Sequence, residues 1–187
     1  MSLLIFTVLV GLLYPLVVTG IAQLVFPHQA NGSLIVVNGK TVGSSLIGQD
    51  FTLPKYFWPR PSAPGAGYDP NSSSASNLGP TSKSYIEGIQ ARVASQTLEN
   101  PGLRAGDVPV DMVTASASGL DPDISIANAL DQAGRVARAR HLPDREVLGL
   151  VHRYTASRQL GFLGEPTVVD VLELNLALDN LALERSR

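Results

Sequence analysis

Residues Leu3 to Phe26, LLIFTVLVGLLYPLVVTGIAQLVF, carry no charged side chain. Nothing else in the 187-residue chain restricts its fold as much. A helix rising ~1.5 Å per residue needs about 20 residues to span the ~30 Å hydrocarbon core of a bilayer. Each Leu, Ile, Val or Phe near the centre of such a helix favours insertion by roughly 0.3–0.6 kcal/mol. Pro15 and Gly20 weaken a helix in water, but membrane helices tolerate both. Tyr14-Pro15 predicts a kink set against a partner helix. A cleaved signal peptide has a basic start and a shorter apolar core. Here the run is long and no Lys or Arg precedes it, although Gly20-Ile21-Ala22 has the small-x-small form of a cleavage site. The first Lys or Arg is Lys40, so charge does not set the orientation. Residues 1–26 therefore read as a transmembrane anchor and residues 27–187 as one small α+β domain.

Composition narrows the rest. Lys and Arg number 14 against 16 Asp and Glu, a net charge of −2. That balance excludes a basic nucleic-acid surface and an acidic tail. The chain has no cysteine, which rules out disulfides, thiolate metal sites and thiol nucleophiles.

Past the anchor, Leu34-Ile35-Val36-Val37 followed by Asn38-Gly39 predicts a hairpin that returns over Thr41 to Ile47. Residues 54–82 form a long loop rich in Pro, Gly and Ser. Tyr56-Phe57-Trp58 and Tyr68 interrupt it, and disordered linkers carry few aromatics. The loop is therefore expected to be ordered around those rings. Ile86, Ile89 and Val93 predict a helix after Lys83. Ile126, Leu130, Ala133 and Ala137 predict another, capped by Ser125, with Arg135 and Arg138 off its apolar stripe. Val147, Leu150, Val151 and Tyr154 predict a third. Thr167 to Leu172 reads as a strand, and Leu174, Leu178 and Leu181 as a final helix.

The segment TASASGLDPD, Thr114 to Asp123, concentrates hydroxyls and carboxylates. A nucleophile elbow needs G-x-S-x-G, and Ala stands where its first Gly belongs. The competing reading is a turn at Gly119 and Asp121-Pro122 that launches the helix from Ser125. Ser116, Ser118 and Asp121 then become candidates for contact with a partner. Gly79-Pro80-Thr81-Ser82-Lys83-Ser84 resembles only the tail of a phosphate-binding loop, because Ser82 replaces the required Gly. Asp121 and Asp123 lack the further ligands of a calcium loop, and no metal site is expected. Glu165 is a lone carboxylate before Pro166. Gln132 sits in mid-helix, either bonded by its side chain or exposed. An anchor joined to a domain with many specific loops suggests an accessory subunit. An anchored extracytoplasmic binding protein unrelated to ATP and an anchored serine hydrolase are the alternatives.

The order of segments carries a resemblance. It runs from Tyr14-Pro15 through QANGSLI, GSSLIGQDF, YF with RPSA, YD, SNLGP and VDMVTASASGLD to GEP and LELNLALD. Over essentially its whole length the chain resembles the C subunit of the bacterial Kdp high-affinity potassium-transporting P-type ATPase. The resemblance implies a single span in the cytoplasmic membrane with the following domain outside. It implies three partners: a potassium-translocating subunit, a P-type ATP-hydrolysing subunit and a very small membrane subunit. K⁺ would be the ion carried by the complex, and ATP would act through the complex or by direct contact with this chain. It implies a role in assembly and a proposed action as a catalytic chaperone that raises ATP affinity. Gln132 lies where that proposal places a nucleotide-contacting glutamine, and Tyr14 and Pro15 join the candidate partner contacts. Members of that family carry basic residues before the membrane helix and this chain has none, so orientation rests on the resemblance. A domain outside the membrane does not meet cytoplasmic ATP, which favours an indirect effect through the anchor.

Overall fold

The structure is a computed structural model describing residues 1–63 and 67–185, with the backbone alone at residues 159 and 165–167. The chain divides into two units, Met1–Leu46 and Ile47–Arg187.

In the first unit one continuous apolar helix covers Ser2–Val25. It comprises α1 (Ser2–Val8), a π-helical turn (Leu9–Leu13) and α2 (Tyr14–Val25). Pro15 explains the π turn. Its nitrogen has no hydrogen for the carbonyl of Gly11, and its ring would clash there, so the preceding turn widens. None of the helix's side chains is buried. A one-turn helix α3 (Pro27–Ala30) follows. It is tied back by Asn31, whose Nδ2 donates to the carbonyl of Pro27 at 2.6 Å and to Oε1 of Gln23 at 3.2 Å. Strands β1 (Leu34–Val37) and β2 (Lys40–Ser44) pair antiparallel with a bulge between Ile35 and Val36. Their turn has φ of +51° at Asn38 and +77° at Gly39, the twist that lets two residues close a hairpin. Ser44 Oγ donates to the carbonyl of Gly32 at 2.7 Å, which fixes the hairpin to the chain leaving α3.

The second unit has five helices and a three-stranded antiparallel sheet among its described residues. Helices α4 (Lys83–Glu99) and α5 (Val110–Val113) precede β3 (Asp123–Ser125). Then come α6 (Ile126–Arg140), α7 (Asp144–Arg153), β4 (Thr155–Gln159), β5 (Leu163–Asp170) and α8 (Val171–Arg185). The strand order is β3-β5-β4. Ile124 and Val169, paired in register across β3 and β5, enter one core with Ala133, Val136, Val147, Val151, Leu174 and Leu178. Burial of each of these larger aliphatic side chains is worth about 1.5–3 kcal/mol. A further core residue, Phe57, comes from the long loop and is 0 % exposed. Among the described residues of that loop, Phe57 is buried in the core and the rings of Tyr56, Trp58 and Tyr68 are partly buried.

Capping sets the limits of α6. Ser125 Oγ accepts from the amide of Asn128 at 3.2 Å. Asp111 of α5 reinforces this cap by accepting from the Ser125 amide, the Ser125 hydroxyl and the Asn128 side chain. At the other end His141 takes the left-handed conformation with φ +55°. Its amide donates to Arg138 and that of Leu142 to Ala137, a Schellman closure with histidine where glycine is usual.

Three expectations need correction. The predicted strand Thr167–Leu172 begins earlier and ends at Asp170, because Asp170 Oδ1 accepts from the amide of Glu173 and so starts α8. Tyr154 falls just beyond α7. Strands β3 and β4 were not anticipated: β3 is only three residues long, and Thr155 to Gln159 lacks an apolar alternation.

Candidate functional site

The long loop enters the core as a strap over residues 54–58, which begins with a turn closed by the Tyr56 amide donating to the Leu53 carbonyl at 3.0 Å. Among the described residues no strand pairs with it. Side-chain amides take the place of a neighbouring strand. Asn175 Oδ1 accepts from the amide of Phe57 at 2.8 Å, and its Nδ2 donates to the Phe57 carbonyl at 3.0 Å. Gln132 repeats this one residue on: its Oε1 accepts from the Trp58 amide at 2.7 Å and its Nε2 donates to the Trp58 carbonyl at 3.0 Å. Gln132 Nε2 also donates to Asn128 Oδ1 at 2.7 Å, and Arg135 Nη2 donates to Gln132 Oε1. The Gln132 side chain is thus saturated, and the residue is 1 % exposed.

Arg135 is the unexpected member of this group. Periodicity places it off the apolar stripe, yet it is 5 % exposed. Its Nη1 donates to the carbonyls of Pro54 and Tyr56, its Nε donates to Asn100 Oδ1, and its guanidinium lies 3.7 Å from the Trp58 ring centre. No carboxylate lies within ion-pair distance of it among the described residues. Burial lowers its pKa to about 10, which leaves it charged at neutral pH. Carbonyl dipoles and an aromatic face carry that charge. Arg140 completes the clamp. It donates to the Lys55 carbonyl at 2.6 Å and pairs with Asp179 at 2.8 Å, while Tyr56 Oη donates to the same carboxylate at 3.0 Å.

The hydroxyls of TASASGLDPD serve the turn itself. Ser116, 7 % exposed, accepts from the Gly119 amide at 2.9 Å, and exposed Ser118 accepts from the Leu120 amide at 3.1 Å. Gly119 has φ +69°, a conformation that strains any side chain. The long loop seals the turn from outside. Ser62 donates to the Gly119 carbonyl at 2.7 Å, Ser73 to the Ser118 carbonyl at 3.1 Å, and the Gly48 amide to the Leu120 carbonyl at 2.9 Å. Asp121 pairs with Arg60 at 2.8 Å, each about a quarter exposed. Tyr68 Oη donates to the Arg60 carbonyl at 2.8 Å, and burial, followed by the charge of Asp121, pushes its pKa up. Gln132 lies elsewhere, on α6. Tyr14 and Pro15 belong to the other unit, on the fully exposed helix. The Glu165 side chain lies outside the described residues.

Among the described residues no group of three or more His, Asp or Glu is placed to hold a metal. A family model described as "KdpC: K+-transporting ATPase, c chain" matches residues 1–180. The chain belongs to the KdpC family. A potassium-transporting ATPase KdpC subunit from Rhodospirillum rubrum is 55% identical over 173 residues, 92% of this chain and 89% of that one. One from Caulobacter vibrioides is 55% identical over 175 residues, 93% and 87% of the two chains. One from Mycobacterium tuberculosis is 53% identical over 179 residues, 96% and 94% of the two chains. The chain is accordingly a subunit of a potassium-transporting ATPase, and its apolar N-terminal helix fits a membrane anchor.

Sequence reasoning missed Asn175, Asn128 and Asp111. Each is a polar residue that periodicity puts on or beside a helix's inner face, and that misplacement is the signal: a polar group is kept inside only when bonded.

Proposed function

We propose that this chain is the accessory, non-catalytic subunit that holds a potassium-import ATPase together in the bacterial cytoplasmic membrane, with the Ile47–Arg187 unit outside. Its partners on this reading are the potassium-translocating, ATP-hydrolysing and very small membrane subunits. The observation that carries the proposal is the predominantly apolar 24-residue helix Ser2–Val25, of which the fold itself buries no side chain. Such a surface needs lipid or other helices, and Tyr14 and Pro15, at the π turn, give it a distinct shape to offer a neighbouring helix.

An effect on ATP affinity then passes through the anchor. A tenfold gain requires about 1.4 kcal/mol of coupling, which a few contacts between membrane helices supply. Direct contact of Gln132 with nucleotide would first require Trp58 to leave the Gln132 amide.

A cysteine placed at exposed Ser74 tests the topology, since the chain has no other cysteine. Labelling by a membrane-impermeant thiol reagent in intact cells is expected. Labelling only after permeabilisation would put the unit inside and favour direct nucleotide contact. Replacing the anchor with an unrelated span is expected to release the chain from its partners. Retention would place the dock outside the bilayer.

A further inference from the structure

A cleft of about 430 Å³ opens in the Ile47–Arg187 unit where the long loop meets α4. The loop lends it Trp58 and Arg60, the segment before the loop lends Asp50, α4 lends Arg92 and Ser95, and α5 lends Met112. Arg60 pairs with Asp121 through Nη1, and its buried Nε has no hydrogen-bond partner among the described residues. Arg92 is not matched. Its Nη1 donates to the Val113 carbonyl at 3.1 Å, and among the described residues its remaining donors have no hydrogen bond or ion pair. Asp50 has no hydrogen bond or ion pair among the described residues either, and it does not pair with Arg92. Two unmatched charges of opposite sign therefore line one cleft beside an indole and a thioether.

That combination selects its occupant. A simple anion drawn to Arg92 is repelled by Asp50, and a simple cation meets the reverse. A polypeptide segment with an acidic side chain satisfies both. Its carboxylate takes the forked donors of Arg92, its backbone amide donates to Asp50, and its methylene stem covers Trp58 and Met112. The cleft is open rather than enclosed, which suits a loop projecting from a protein surface better than a small molecule that must be largely buried.

We propose that this cleft is a socket for a segment of a partner subunit that presents an acidic side chain to Arg92. The proposal rests on the reading of the chain as an assembly subunit. The test uses the full chain co-expressed with the other subunits of its complex. It measures co-purification of the complex and the thermal midpoint of each variant alone in detergent. Arg92→Glu and Ser95→Trp are each expected to lower co-purification at least about tenfold, the first by reversing a desolvated charge contact and the second by filling the cleft, with Arg92→Lys losing less than Arg92→Glu because it keeps the charge without the fork. Ser95→Trp fills the cleft from an exposed position whose side chain makes no hydrogen bond among the described residues, so it decides the matter if Arg92→Glu lowers the midpoint. Parental co-purification of Ser95→Trp overturns the socket. If the anchor replacement still releases the chain in that case, the assembly reading stands without it. N-acetylglutamate is the probe for a free ligand. If it raises the midpoint of the parent but not of Arg92→Glu while assembly is unaffected, the cleft belongs to a soluble carboxylate and the proposal fails.

Discussion

The side-chain amide of Gln132 is bonded to both backbone groups of Trp58, 74 residues earlier in the chain. It treats Trp58 as a neighbouring strand would, and Asn175 does the same for Phe57. The strap is an edge without a sheet, held by two amides and two arginines.

Gln132→Ala leaves the Trp58 amide and carbonyl, Asn128 and one arm of Arg135 without partners in a buried site. Unsatisfied buried groups cost about 1–3 kcal/mol each, partly relieved by relaxation, so a loss of about 2–4 kcal/mol is expected. Urea unfolding of the full chain in detergent measures it. A residue acting as a nucleotide contact would instead lower ATP affinity in the complex while leaving the unfolding midpoint in place.

Asp170 and Asp123 face each other across β5 and β3. Burial, and then the nearby Glu173 and Asp123 charges, raise Asp170 from 3.8 to about 6, while its bond from the Glu173 amide works the other way. Burial and the charges of Asp121 and Glu173 raise Asp123 as well. The folded state holds these protons more tightly than the unfolded chain. Their contribution is therefore full below about pH 4 and is lost as pH rises toward about 6. Asp170→Asn keeps an oxygen to cap α8 and cannot ionise. It is expected to flatten stability against pH across that window and to raise it at pH 7 by roughly 1–3 kcal/mol relative to the parent. A difference curve parallel to the parent's would refute the assignment.

A Cβ at Gly48 would stand 2.5 Å from both the Asp121 carbonyl oxygen and Tyr68 Cε1. The carbonyl is backbone and the ring is held by its own bonds, so neither gives way easily. Gly48→Ala is expected to destabilise by about 1–3 kcal/mol or more. At Gly149, inside α7, a Cβ meets nothing within 4 Å. Gly149→Ala should stabilise by about 0.5–1 kcal/mol through lower chain entropy. Opposite shifts in thermal midpoint for the two alanines are the measurement.

His141 closes α6 at φ +55°. No side chain but a hydrogen sits easily there, so His141→Gly is expected to stabilise by about 0.5–1 kcal/mol. A fall in stability would mean that the imidazole makes up for the strain of its backbone.

The apolar N-terminal helix, the Asn38-Gly39 hairpin, the Ser125 cap and the helices over α4, α6, α7 and α8 were legible in the residues. Each is a local matter of period, turn chemistry or capping that a short window contains. The packing of Phe57 was legible too, because rings in a Pro-rich stretch need a place to pack. The short strands β3 and β4 were not legible. Their pairing depends on β5, and Thr155 to Gln159 carries no pattern of its own.

By itself the sequence determined that the chain has one apolar span, no thiol chemistry and an α+β unit with a turn at Gly119, together with the family signature spread along its length. Only the tertiary structure decided what the polar residues do. Arg135 and Gln132 look like surface or site residues on a helical wheel, yet both are buried because a strap from residues 54–58 lies across them. The serines of TASASGLDPD look like reactive hydroxyls, yet they bond the turn's own amides beneath the long loop. The reason is physical: hydrophobic period is set by neighbours in the chain, whereas a polar group's fate depends on whichever distant backbone arrives to accept or donate its hydrogen bonds.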